Sequence, residues 1–348
     1  MSQASPPSPD TAPPATLAPQ PRALTVASWL LRLAVLGHAI ALFAMVFSAR
    51  QTQFGNYLFM DLLVQREDPH AEAVLIERIT VSLYLAMGVL TLIKPLWPVL
   101  LLMAAYAFIE AASATHNAGY RFSDWAIPSQ ALRFGAPLVL MLLVLMPKIR
   151  LLAPWTPTAA ASLLRVLVAT VFFAHGYQAL MANPRFIDLI IGTFANMLDT
   201  RITEAQATTM LHVIAIVDFC VAAAILIYPR PLLVPRRLWA SPCRICAIRR
   251  VIVPVLCLWL ALWGLLTAAS RMTSLGHPEM MSEYVEVVVR TSHVLGPLAL
   301  WGLFSATYGP RACAAMRGSK PATASRADEP TPATSPTATP PSATPAEP

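Results

Sequence analysis

Residues 159–181 read AAASLLRVLVATVFFAHGYQALM, an apolar run interrupted by one arginine, Arg165, and one histidine, His175. At 1.5 Å of rise per residue, a helix needs about 20 residues to cross a hydrocarbon layer about 30 Å thick. This stretch is long enough, and it lacks the polar face that a soluble amphipathic helix presents to water. Stretches of the same kind lie on both sides of it, at 27–47, 76–94, 96–114, 131–147, 208–228, 251–270 and 287–307. The reading is an all-α, polytopic membrane protein of about eight transmembrane helices. The whole composition agrees: 56% of residues are hydrophobic and 12% charged, with a mean hydropathy of +0.58. Soluble domains carry about 25% charged residues, so the expected partner of this surface is the lipid bilayer.

The second and third stretches nearly touch at Lys94-Pro95-Leu96-Trp97-Pro98, where two prolines and a lysine predict a tight turn between helices. The stretch 48–75 has room for a short surface helix. Residues 1–22 and 311–348 are tails of Pro, Ala, Ser and Thr, expected to be disordered because they lack the apolar side chains that offset ordering entropy. No cleavable signal peptide is recognisable ahead of the first span.

The formal net charge of +7 fits membrane topology better than nucleic-acid binding, for which no basic stretch interleaved with aromatics exists. With the N-terminus inside, the inner loops hold Lys94, Lys148, Arg150 and a run from Arg230 to Arg250, while the outer loops carry Asp61, Glu67, Asp68, Asp188, Asp199 and Glu204. Both termini are therefore expected on the cytoplasmic side. The Ala-, Pro- and Arg-rich usage points to a bacterial inner membrane.

The spans repeat. Leu30-Leu31-Arg32 in the first corresponds to Leu163-Leu164-Arg165 in the fifth, and Leu92-Ile93-Lys94-Pro95 after the second to Leu226-Ile227-Tyr228-Pro229 after the sixth. Pro98-Val99-Leu100 corresponds to Pro254-Val255-Leu256, and Ala136-Pro137-Leu138 to Gly296-Pro297-Leu298. Four matches in one order predict two tandem four-helix bundles, 23–150 and 151–310, related by an axis along the membrane normal.

Leu163-Leu164-Arg165 followed by Phe172-Phe173-Ala174-His175-Gly176-Tyr177-Gln178 resembles the first helix of the DoxX-like superfamily of four-helix membrane proteins, which includes DoxX, DoxD and MauE types. The resemblance covers 159–307 well and 27–147 poorly, and the first half has no His-Gly. It implies a four-helix bundle per half, a link to membrane redox systems with partner membrane subunits, and a quinone as the associated cofactor. No cofactor is identifiable from the residues themselves.

Ionisable groups at membrane depth are costly and mark interior or functional positions. His175, His212, Asp218, Arg271, Glu286, Arg290 and His293 all fall toward one side of the membrane in the second half. Glu286, Arg290 and His293 share a helix face by i,i+4 and i,i+3 spacing. They are expected to line one polar cavity, with Asp218 its deepest charge and Arg271 and Arg290 its partners; the alternative is a set of hydrogen bonds that only joins helices. The corresponding first-half positions of Asp218 and His212 are Tyr84 and Arg78, so the site is not duplicated and the first half is expected to be a packing partner. His38 reads as a satisfied interior group, and Arg32 and Arg165 as side chains that snorkel to headgroups.

Cys243-Arg244-Ile245-Cys246 is a C-x-x-C in the basic inner loop, a weak redox signal with no second pair to complete a zinc site. Five cysteines make no disulfide framework. There is no H-E-x-x-H, no G-x-S-x-G and no phosphate-binding glycine loop, so no autonomous catalytic motif. Three functions stay open: a component of a redox or quinone-linked system, with a lipid-accessible crevice near His175 and Asp218; a transporter of a small solute or protons, with helices broken near the midplane; and a scaffold or assembly factor whose polar groups are all mutually satisfied.

Overall fold

The computed structural model describes residues 21–48, 50–117, 123–227, 242–274, 285 and 287–308, with no side-chain description at 21, 123, 242–250, 271–274 and 308. These residues are helical, joined by turns and short coil, and no strand occurs among them. The long helices are α1 (Pro21–Phe47), α3 (Pro69–Ile93), α4 (Trp97–His116), α6 (Ala131–Leu145), α7 (Thr156–Leu180), α9 (Glu204–Ile227), α10 (Pro242–Ser274) and α11 (Thr291–Tyr308). Short helices α2 (Gln53–Tyr57) and α5 (Ala126–Ser129) and a third, α8 (Pro184–Leu198), fill the connections at one end. Among the described residues, eight helices are long and apolar enough to cross a membrane. The chain is a multi-pass integral membrane protein.

Local chemistry sets several boundaries. The Asp68 side chain accepts from the Ala71 N–H at 3.0 Å and Pro69 opens the first turn, so α3 begins well before the apolar run does. The turn expected at 94–98 is present, with α3 ending at Ile93 and α4 starting at Trp97. The surface helix expected in 48–75 is α2, which runs into a π-helical turn, Leu58–Leu62. Sequence reading missed α8. It is an amphipathic helix whose Phe186, Ile187, Ile190 and Ile191 pack with Ala179 and Leu211. Helix α10 reaches back to Pro242, so Cys243 and Cys246 lie in its first two turns and not in a loop. Pro137, Pro254 and Pro297 sit inside helices that continue through them. The broken spans expected of a transporter are thus absent from α6 and α11. Both expected tails lie outside the described residues, apart from the first turn of α1.

Within the first half, α1 packs on α3, α4 on α6, and α1 on α6; within the second, α7 packs on α9, α10 on α11, and α7 on α11. Across the halves, α1 packs extensively on α11, and α6 on α7. Helices α1, α6, α7 and α11 therefore form an inner layer, with α3 and α4 outside it on one flank and α9 and α10 on the other. One continuous apolar core runs through both halves, from Leu31, Leu42 and Leu132 to Leu164, Leu260 and Leu300. Close approach of α1 and α11 requires Gly37, since a Cβ there would run into the Thr291 side chain.

Arg32 and Arg165 differ from expectation. Arg32 donates to the Leu92 carbonyl at 3.1 Å, satisfying one of the four carbonyls left open at the end of α3, with its guanidinium 4.7 Å from the Trp29 ring centre. Arg165 is buried within the bundle. Arg32 thus ties α1 to α3, and Arg165 faces the bundle interior.

Candidate functional site

Among the described residues, many buried polar side chains of the spans lie toward the end where α1, α4 and α7 terminate, here called the distal end, while Arg32, Thr91 and Arg165 lie toward the other. Two centres are present, and they meet at Arg133.

The first centre was not anticipated. Glu77 of α3 and Glu110 of α4 are 1% and 4% exposed. The Thr52 N–H donates to Glu77 Oε1 at 2.6 Å, and the Gln53 and Phe54 N–H groups donate to Glu110 Oε1 and Oε2, each at 2.9 Å. These are the open amides of the first turn of α2, so two carboxylates from the spans hold that helix in the mouth of the first half. Asn117 adds a bond to the Gln53 carbonyl at 2.6 Å. A residue larger than glycine does not fit at position 55, because the Glu77 carboxylate stands where its Cβ would be. Phe54 then lies over Tyr106 with ring centres 5.9 Å apart, Tyr106 lies 4.9 Å from Tyr84, and the Tyr84 hydroxyl meets His38 Nδ1 at 3.1 Å. His38 is only half satisfied: its Nε2 is buried with no hydrogen-bond partner, as is the Tyr106 hydroxyl.

The second centre is the one expected from sequence, in altered form. The His175 and His293 rings are 6.0 Å apart, and Phe186 of α8 lies 5.9 Å from His175. Asp218 is 3% exposed and packs against Gly176, where an added Cβ would stand 3.1 Å from Asp218 Cβ. No hydrogen bond or ion pair engages Asp218 among the described residues. Arg290 acts electrostatically on His175 and His293 and not on Asp218, contrary to the pairing expected of it. His212 is exposed on the outer face of α9, so it does not line this centre. Arg271 lies in α10 with its side chain outside the described residues, and Glu286 is outside them altogether. The Cys243 and Cys246 side chains are likewise not described. Cys220 and Cys257 are free thiols, and no group of three or more His, Cys, Asp or Glu arranged for a metal occurs among the described residues.

Arg133 of α6 joins the two centres. Its charge is felt at His38, Tyr84 and Glu110 on one side and at His175 and His293 on the other. Its own Nη1 donates to Gln130 Oε1 at 3.0 Å. The first half thus brings a charged side chain that acts on the second-half histidines. Sequence register carried a signal for this: Arg133 precedes Pro137 by the same four positions that separate His293 from Pro297. The two residues occupy matching positions in α6 and α11, which pack against each other.

Away from these centres, a lipid-facing groove of about 520 Å³ lies between α1 and α11, lined by Val26, Leu30, Leu298 and Trp301 with Arg22 and Ser305 at its edge. It is at the opposite end of the bundle from His175 and Asp218. No family model matches this chain, and no curated protein or solved structure is similar to it.

Proposed function

We propose that the chain is a DoxX-like component of a membrane redox system, and that His175 and Asp218 mark where the head group of a quinone docks. One observation carries this reading: a carboxyl group sits in the middle of a span, almost fully buried and without a described partner, packed against the residue that follows His175. A carboxylic acid in that layer costs several kcal/mol when charged and unpaired, on the order of 2.5–3.5 on insertion scales, so a site retains one where it has a task such as handing over a proton. Aromatic side chains near the pair favour a flat-ring ligand. Phe186 stands beside His175, and Phe173, two positions earlier on α7, lies 5.2 Å from Phe219, the neighbour of Asp218. When bound, a quinone supplies reversible two-electron, two-proton chemistry, with electrons delivered through a partner subunit. The chain contributes an imidazole that can hydrogen-bond a carbonyl and a carboxyl that can exchange a proton.

The helix pairing supports duplication of a four-helix unit. Exchanging α1, α3, α4 and α6 for α7, α9, α10 and α11 maps every strong pair within one half onto a pair in the other, the α1–α11 and α6–α7 contacts onto each other, and the α6–α11 contact onto itself. Lys94, Lys148 and Arg150 at the proximal end support cytoplasmic termini in a bacterial inner membrane. The unpaired ring nitrogens weigh against a scaffold in which all polar groups are satisfied.

Purification in mild detergent followed by solvent extraction tests the reading. A quinone is expected to co-purify with the wild-type chain, and Asp218→Asn is expected to assemble normally while losing quinone-linked activity in membranes. Wild-type preparations free of quinone, together with an Asp218→Asn strain indistinguishable in redox behaviour, would overturn it. Misassembly of Asp218→Asn alone would assign the carboxyl a structural role.

A further inference from the structure

We infer that an anionic phospholipid of the proximal leaflet binds along the seam between the two halves, with acyl chain in the groove between α1 and α11 and phosphate on Arg22. The inference does not rest on the redox reading, since the groove lies at the opposite end of the bundle from His175 and Asp218.

Shape comes first. The groove holds about 520 Å³, and its walls are almost entirely apolar. Arg22, Val26 and Leu30 follow one another at i, i+4 and i+8 on α1, and Leu298, Trp301 and Ser305 at i, i+3 and i+7 on α11, so one stripe of each helix forms a wall. The floor is where the helices touch: at Gly302 an added Cβ would stand 3.0 Å from Ala27 Cβ and 3.2 Å from the Ala23 carbonyl oxygen. From Arg22 to Leu30 the helix rises about 12 Å, most of one leaflet's share of a hydrocarbon layer about 30 Å thick. The groove is thus a narrow trench that faces lipid and runs with the lipid chains. A helix about 10–12 Å across occupies roughly twice that volume or more over the same length, which is more than the trench holds.

Charge selects the head group. Arg22 is exposed at the surface end of the trench, with half-buried Ser305 beside it on α11. Exposed Trp97 and Trp155 stand at the same end, one opening α4 and the other just ahead of α7, where aromatic residues mark the membrane–water interface. Lys94, Lys148 and Arg150 add to the positive charge of that end, and no aspartate or glutamate occurs there among the described residues. A phosphodiester head group with net negative charge complements such a surface. The Arg22 fork can hold two of its oxygens, and Ser305 offers a hydroxyl. Since α1 belongs to the first half and α11 to the second, a lipid seated here bridges the seam.

The test uses the full chain in an uncharged detergent, titrated with phosphatidylglycerol or with zwitterionic phosphatidylcholine. Thermal stability is read at each step, and native mass spectrometry counts the lipids retained. For wild type, saturable stabilisation with retained phosphatidylglycerol is expected, and none with phosphatidylcholine over the same range. The half-saturating concentration should rise about fivefold in Arg22→Gln, the effect of one interfacial cation. Val26→Trp fills the trench and should abolish retention. Arg150→Gln removes a charge of the same end outside the groove and should match wild type. Val26 is exposed to lipid, and gel filtration shows whether Val26→Trp folds; if it does not, Arg22→Gln and Arg150→Gln decide. Equal effects of the two lipids, binding undiminished in Arg22→Gln, or a loss in Arg150→Gln as large as in Arg22→Gln overturns the inference. So does a wild-type dimer that Val26→Trp converts to monomer, since that outcome assigns the groove to a second copy of the chain.

Discussion

Replacing Glu110 by alanine gives the sharpest view of how the distal mouth is held. Each carboxylate oxygen accepts one backbone N–H, from Gln53 and Phe54, at 2.9 Å. Glu110 is 4% exposed, so water does not readily take its place. Truncation strands two amides, and at about 1–3 kcal/mol for each buried donor left unpaired the loss is about 2–6 kcal/mol, less whatever water recovers. Glu110→Gln keeps one acceptor oxygen and turns an NH2 toward the other amide, so it should lose roughly half as much. The assay is hydrogen exchange at Gln53 and Phe54, read beside the midpoint of thermal unfolding in detergent. The expected order of amide protection is wild type, then Glu110→Gln, then Glu110→Ala, with Thr52 still protected through Glu77 in all three. Equal protection at positions 53 and 54 in wild type and Glu110→Ala would refute the reasoning, because it would show that α2 is held by something other than this carboxylate.

Other substitutions probe the helix contacts. At Gly264 an added Cβ would stand 2.8 Å from the His293 carbonyl oxygen, a backbone atom that cannot turn away. At Gly135 the obstacle is the end of the Leu167 side chain, which can rotate. Gly264→Ala should therefore lower thermal stability by about 1–3 kcal/mol and more than Gly135→Ala does, as measured by unfolding in one detergent. Arg32→Ala removes the charged donor from the Leu92 carbonyl and should cost about 1.5–3 kcal/mol, with Arg32→Lys between it and wild type on the same measurement.

Span number and the tight turn after Ile93 were legible because they depend only on run length, hydropathy and proline. The burial of Asp218 was legible for a similar reason, as a carboxyl in mid-span has few other places to go. Partnering was not. Glu77 and Glu110 lie near span ends, where carboxylates ordinarily meet water, and nothing local says that a chain segment folds back to give them amides; Gly55, with its missing side chain, is the one trace of that contact. Amphipathic α8 was hidden because its apolar face, Phe186 to Ile191, is too short to register as a span. Arg290 was assigned to Asp218 because both lie toward the same side of the membrane, whereas in the folded chain its charge acts on His175 and His293. His38 and Arg133 were read within their own half, and only the packing of α1 and α6 against α11 and α7 shows that their helices meet at a junction shared by both halves.

That shared junction depends on α1 lying against α11, and cysteine cross-linking in native membranes tests it most directly. A Cβ at position 37 falls 3.0 Å from Thr291 Cβ, and one at position 88 falls 3.0 Å from Ala39 Cβ, each inside the roughly 3.5–4.5 Å of disulfide Cβ pairs, so a small outward shift of the helices brings either pair to bonding distance. In a chain freed of its own cysteines, Gly37→Cys with Thr291→Cys should form an intramolecular bond on mild oxidation, as should the within-half control Gly88→Cys with Ala39→Cys. Bonding of the control pair without bonding of the 37–291 pair would contradict a core common to both halves.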